Sequence, residues 1–264
     1  MKTLKQEEVV GILLDKISGR YLELFPKNNI FIYSSEAIAT MLKERFVNIQ
    51  EVDVRYDGDN KISVYIKERE ASFMWCEEVQ NGCYYMDENG LIFDNAPRFS
   101  NGVFLVFRGG ISLEEGSLDY IGRTIMTPEN IKMLNIFKSR IEKIIFKHFK
   151  QEWKISSFLI SDGGDIVARL DNGQEGEWEL MIAPRTEEKY SFRGGEQPRG
   201  LLREEQEGEW FGFGGDLQAA EENFDVTIGS QAFKEHVNNS YKSLADLEYI
   251  DLRFDKKIFY KFKI

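Results

Sequence analysis

The sequence predicts an α+β protein: a small αα-ββ unit, then a larger, mostly antiparallel β unit that carries one long helix. Two patterns carry that prediction. In some windows apolar residues recur at i, i+3 and i+4, and in others they alternate at every second residue between turn-forming Gly, Asn and Asp. At 264 residues, 42% hydrophobic and 13% aromatic, the chain can bury a sizeable core, and its length fits two domains of ordinary size.

Thr3 and Gln6 have capping-box spacing, and Val9, Ile12, Leu13 and Ile17 follow at helical intervals up to Gly19, so the chain opens on a helix. Ile30, Phe31 and Ile32 make a short extended piece after Pro26. Ser34 or Ser35 then caps a second helix that turns Ile38, Met41, Leu42 and Phe46 inward. Val52 and Val54, then Ile62, Val64 and Ile66, alternate across Asp57-Gly58-Asp59-Asn60, a hairpin signal because Gly and Asx residues tolerate positive φ. Residues 75–107 read as a meander with turns at Asn81-Gly82 and Glu88-Asn89-Gly90. Thr127-Pro128-Glu129 starts the longest helix, with Pro at its first position and an apolar stripe of Ile131, Leu134, Phe137, Ile141, Ile144, Ile145 and Phe149. Residues 155–160 and 166–170 flank Ser161-Asp162-Gly163-Gly164-Asp165 as another hairpin. The pattern then fades into a stretch rich in Gly, Glu and Arg, where Gln-Glu-Gly-Glu-Trp occurs at 174–178 and again at 206–210. Within it, 180–183 and 224–228 read as strands, and Trp178 and Trp210 as anchors of a small β flap. Residues 232–244 read as a helix. Residues 248–263 read as two short strands around Asp255-Lys256-Lys257.

Two separated stretches resemble the FtsQ/DivIB family of bacterial cell-division proteins. One is Ile250-Asp251-Leu252-Arg253-Phe254, similar to the run that leads into that family's last strands. The other lies at 60–94: a strand ending in Glu68-Arg69, then Trp75, then a hairpin from Tyr85 through Asp87 and Gly90 to Phe93, similar to the junction of the family's two domains. The resemblance covers about residues 1–172 and 238–264. It implies a POTRA-like domain over 1–69 and a β domain over 70–264, with an insertion at about 175–230. The POTRA order begins with a strand that here is missing or confined to residues 1–3. The resemblance also implies a membrane-spanning helix upstream of position 1, so that the bulk of the chain lies outside the cytoplasm at the division septum.

A net charge of −11 argues against nucleic acid or anionic lipid headgroups as partners, because binding those polyanions rests on Lys and Arg. The terminal Lys256, Lys257, Lys261 and Lys263 read as a solvated, lysine-protected edge. No window approaches the roughly 18 consecutive apolar residues of a membrane span, and residues 1–6 are not a signal peptide. Cys76 and Cys83 flank a hairpin-like turn, so they are either a cross-strand disulfide or a pair of buried thiols; a chain outside the cytoplasm favours the bridge. The only histidines, His148 and His236, fall at no metal-ligand spacing, so no metal and no cofactor is expected. No carboxylate pair or nucleophile-and-base set stands out, and Gly212-Phe213-Gly214-Gly215 lacks the strand and helix of a phosphate loop. Arg108-Gly109-Gly110 and Arg193-Gly194-Gly195 resemble RNA-binding tripeptides but read as turns in an acidic chain.

The expectation is therefore a non-enzymatic scaffold. By the resemblance it binds FtsB/FtsL-like membrane division proteins, contacts the septal peptidoglycan synthase complex and regulates septal peptidoglycan synthesis. A terminal strand can leave a sheet edge whose backbone groups accept a partner strand. The candidate partner-binding residues are Tyr249, Leu252, Arg253, Phe254, Ile258, Phe259, Tyr260 and Phe262. Arg253 is the expected charged anchor, since its planar fork can hold a carboxylate bidentately, and Asp251 is expected to hold local structure. A POTRA-containing envelope assembly or secretion module would instead need tandem repeats or a barrel, and a wall hydrolase a cleft of converging carboxylates.

Overall fold

The computed structural model describes residues 4–17, 20–21, 25–26, 35–57, 61–77, 82–99, 102–111, 119–161, 164–173, 176–183, 214–239, 243–254 and 258–263. The chain is an α+β protein. Helices α1 (Gln6–Ile17) and α2 (Ser35–Arg45) precede the hairpin β3 (Ile49–Asp57) and β4 (Lys61–Glu68); between the helices, β1 (Arg20–Tyr21) and β2 (Phe25–Pro26) form a two-residue ladder. Val9, Ile38, Leu42, Phe46, Ile49 and Val54 form one apolar core, which the alternation of β3 and the helical spacing of α2 turn toward each other. The extended piece expected at 30–32 and a strand at 1–3 lie outside the described residues.

The second unit is one nine-stranded sheet in the order β13-β12-β11-β10-β9-β8-β5-β6-β7. Its strands are β5 (Phe73–Cys76), β6 (Cys83–Met86), β7 (Ile92–Ala96), β8 (Val106–Gly109), β9 (Lys154–Ile160), β10 (Ile166–Asp171), β11 (Glu177–Ile182), β12 (Leu247–Asp251) and β13 (Phe259–Phe262). Five neighbouring pairs are antiparallel. The three parallel pairs, β5 with β8, β8 with β9 and β11 with β12, each need a long crossover. Two of those crossovers are helical. Helix α3 (Pro128–Phe149) links β8 to β9, while α4 (Gly214–Gly229) and α5 (Gln231–Asn239) lie between β11 and β12. The helices cover one face of the sheet, over a core that includes Phe107, Phe137, Phe158, Leu180, Phe224 and Ile250. Thr127 caps α3 by accepting from the Asn130 N–H, and Lys150 ends it in the left-handed conformation.

The two apolar cores are separate clusters; Val47 of the first unit packs against a third, smaller cluster of Met74, Cys76, Tyr85 and Phe93, and Arg69 also ties the units together. Its Nε donates to the Val47 carbonyl and its NH1 to the buried Asp87 carboxylate at 2.6 Å. Cys76 and Cys83 face each other across β5 and β6 in a disulfide, with Cα atoms 4.1 Å apart. In the chain-entropy picture, closing so short a loop contributes about 2.5 kcal/mol.

Four expectations need correction. Residues 224–228 are not a strand but the last turns of α4, where Leu217, Ala220, Phe224 and Ile228 recur at helical spacing and are buried. Residues 177–182 form β11 inside the sheet, and Trp178 is buried against Trp153 and Phe224 rather than anchoring a flap. Trp210 lies outside the described residues. The meander reaches only β5, β6 and β7, because β8 lies on the far side of β5 and pairs with it in parallel. The helix expected over 232–244 is α5 followed by a separate 3-10 turn, Leu244–Asp246, capped by Ser243.

Candidate functional site

An open sheet has two edges, and here they differ. Beside β7, the Ile92 N–H donates to Arg123 O and the Gly122 N–H to Ile92 O, so a loop pairs with the first residue of that edge strand. At the other end β13 pairs only with β12 among the described strands. Along a strand, alternate residues point their N–H the same way. The Lys263 N–H bonds Asp246 O on the β12 side, and on β12 itself the Leu252 N–H bonds Met181 O on the β11 side. Phe259 and Lys261 therefore bond toward β12, and Tyr260 turns its N–H and C=O outward.

Side chains at this edge fall into three groups. Tyr260 and Phe262 face the helical side, where Tyr260 packs edge-on against Phe233 at 5.0 Å and Phe262 stacks on His236 at 5.3 Å. Leu252 is buried in the same core, and Ile258 packs against it. Tyr249 and Lys261 are cross-strand partners on the other face, with Lys261 bonded to Glu248 at 2.7 Å. That bond holds the Lys261 ammonium above its usual range. Lys263 Nζ donates to Glu177 O and Ala245 O. Phe254 and Phe259 are the exposed pair, 49% and 48% accessible, in edge-to-face contact at 5.3 Å.

Arg253 is held by its own chain. Its Nε and NH2 clamp Asp251 at 2.9 and 2.7 Å, and its NH1 donates to Asp165 at 3.0 Å. Burial pushes the Asp251 carboxyl up, but the side-chain and backbone hydrogen bonds from Arg253 outweigh it and hold the group below the usual carboxylate range. The guanidinium is raised in turn by Asp251, despite burial that opposes it, and further by Asp165. Of five N–H donors, three point at internal carboxylates, so a partner carboxylate can meet only the remaining two. No sequence signal announced Asp165, which lies 88 residues away in the β9–β10 turn.

Elsewhere, His148 Nε2 and Lys147 Nζ both meet Asp225 on α4, at 2.6 and 2.9 Å. Among the described residues no group of His, Cys, Asp or Glu is arranged to hold a metal ion, and no helix is long and apolar enough to cross a membrane. No protein-family model matches the chain, and a search of the curated proteins finds no match.

Proposed function

We propose that the chain is the extracytoplasmic part of a divisome scaffold of the FtsQ/DivIB kind, without enzymatic activity. It binds an FtsB/FtsL-like partner by strand addition at β13, sits at the septum on an upstream membrane anchor, and regulates septal peptidoglycan synthesis. The observation that carries the reading is the outward backbone of Tyr260 on a strand with one neighbour, beside the exposed Phe254 and Phe259. Each added backbone hydrogen bond contributes about 0.5–1.5 kcal/mol net, so aromatic burial must supply most of the affinity. The Cys76–Cys83 bridge suits an oxidising compartment.

The test is a titration with a peptide from the FtsB-like protein of the same cell, read by amide hydrogen exchange and by affinity. Binding is expected to protect the Tyr260 amide, and Phe254→Ala with Phe259→Ala to weaken it by about tenfold or more. Binding without protection at Tyr260 overturns the edge as the site. Absence of binding overturns the partner.

A further inference from the structure

The outward face of α3 carries a side-chain pattern that nothing above uses. Lys132, Ile136, Ser139, Lys143, Phe146 and Lys150 recur at steps of four and three residues, so they line one stripe of the helix, and all six are exposed. Ile136 and Phe146, the apolar members, are 41% and 50% accessible. We propose that this stripe docks the chain on an anionic lipid surface, the lysines meeting headgroup phosphates while the Ile136 and Phe146 side chains enter the layer beneath them.

The argument rests on which cations of α3 the fold itself uses. Lys138 bonds Glu142 on the same helix at 2.6 Å, and Arg140 and Lys147 reach Glu221 and Asp225 of α4, each at 2.9 Å. Lys143 and Lys150 meet no carboxylate among the described residues. The residues three and four positions from Lys143 are Ser139, Arg140, Phe146 and Lys147, and one turn before Lys150 stand Phe146 and Lys147. Like charges at that spacing destabilise a helix, so the fold gains nothing from Lys143. The helix dipole favours cations in the last turn, which accounts for Lys147 and Lys150 but not for Lys143, almost two turns from the end, nor for a half-exposed phenyl ring. Lys150 Nζ lies 5.7 Å from the centre of the Phe146 ring, so charge and ring form one amphipathic unit. At the other end Lys132 has Glu129 one turn before it, which leaves the second half of α3 as the more basic half.

A flat anionic layer suits this stripe better than a partner helix does. Ile136 and Phe146 lie about 15 Å apart along the axis. Helix-on-helix packing needs an apolar side chain about every 3.5 residues, and the positions between these two hold Ser139 and Lys143, which a partner helix would bury. At a lipid surface a lysine stem lies along the apolar boundary while its ammonium stays among the phosphates. The net charge of −11 opposes such docking only weakly, because charges more than about 8 Å away are largely screened at physiological ionic strength. Helix α3 packs over β9, the middle strand of the sheet, whereas β13 is its edge, so docking through α3 does not occupy β13.

The experiment is co-sedimentation of the whole chain with vesicles of equal parts phosphatidylglycerol and phosphatidylcholine, and with vesicles of phosphatidylcholine alone. Binding is expected to the anionic vesicles only, at about 1 mM accessible lipid, and to fall steeply as salt is raised. One lysine at an anionic surface strengthens binding about fivefold, so Lys143→Gln with Lys150→Gln should weaken it about 25-fold, and Phe146→Ser about tenfold. Lys43→Gln with Lys61→Gln makes the same change in net charge at two exposed lysines of the first unit and should leave binding unchanged. All the replaced side chains are exposed, so far-UV spectra and Tm should match those of the parent chain. Equal binding to both kinds of vesicle overturns the proposal, and so does an equal loss in the two lysine pairs. No binding to anionic vesicles at about 10 mM lipid overturns it as well. In that case, capture of a glutamate-rich helical peptide that depends on Lys143 and Lys150 would assign the stripe to a protein helix instead of lipid.

Discussion

Replacing Arg253 with Met separates the two roles this residue can have. If it is an internal strut, Arg253→Met leaves the Asp251 carboxylate, 8% exposed, without the clamp at 2.9 and 2.7 Å. Removing one partner of a buried ion pair costs about 3–5 kcal/mol. Two features reduce that figure here: the Arg253 side chain is 35% exposed, and Asp251 keeps the backbone N–H of residue 253 at 3.0 Å. The expected loss is about 2–3 kcal/mol, a fall in Tm of roughly 4–12 °C for a domain of this size. Urea unfolding followed by tryptophan emission suits the measurement, since Trp75, Trp153 and Trp178 all lie buried in the β unit. Pairing it with Asp251→Asn should recover about 1 kcal/mol by removing the uncompensated charge. The pH dependence has a definite sign. Because the folded Asp251 carboxyl is held below its unfolded value, its contribution is full above about pH 3.9 and is lost as pH falls through the folded value. The penalty of Arg253→Met should therefore be full at neutral pH and shrink below about pH 4. An unchanged urea midpoint at neutral pH would refute the strut and return Arg253 to the partner.

Two further outcomes follow from the packing of α4. Phe224→Ala, which removes a fully buried ring stacked on Trp178 at 6.4 Å, should destabilise by about 3–5 kcal/mol and red-shift tryptophan emission; a loss under about 1 kcal/mol would make α4 a peripheral appendage. Asp225→Asn should cost at most about 1 kcal/mol, because the pair is partly solvated. Hydrogen bonds first from His148 and then from Lys147 hold the Asp225 carboxyl low, so that cost should be present above about pH 3.9 and vanish as pH falls through the folded value. A cost that persists at low pH in a urea titration would mean that the carboxylate charge is not what joins α4 to α3.

Local signals were legible and long-range ones were not. The stripe from Ile131 to Ile145 behind Thr127 and Pro128 specifies α3, and Asp or Gly turns mark the hairpins, because each is encoded within a few residues. Helix α4 was hidden by Val226, Thr227 and Ile228, whose β-branched run imitates a strand. Helical spacing of the buried positions overrides that run, and Val226 points to solvent at 75% exposure. The far-side placement of β8 could not be read either, since alternation tells which face a residue takes but not which strand lies beside it. Arg253 makes the same point at the candidate site. A guanidinium in a sequence presents five donors, and how many remain for a partner depends on carboxylates that folding brings near, here Asp251 two residues away and Asp165 eighty-eight away. Exposed aromatic surface and an unpaired backbone are therefore the firmer markers of the edge, because folding has left Phe254, Phe259 and the outward groups of Tyr260 uncovered while committing three of the five Arg253 donors to the chain's own carboxylates.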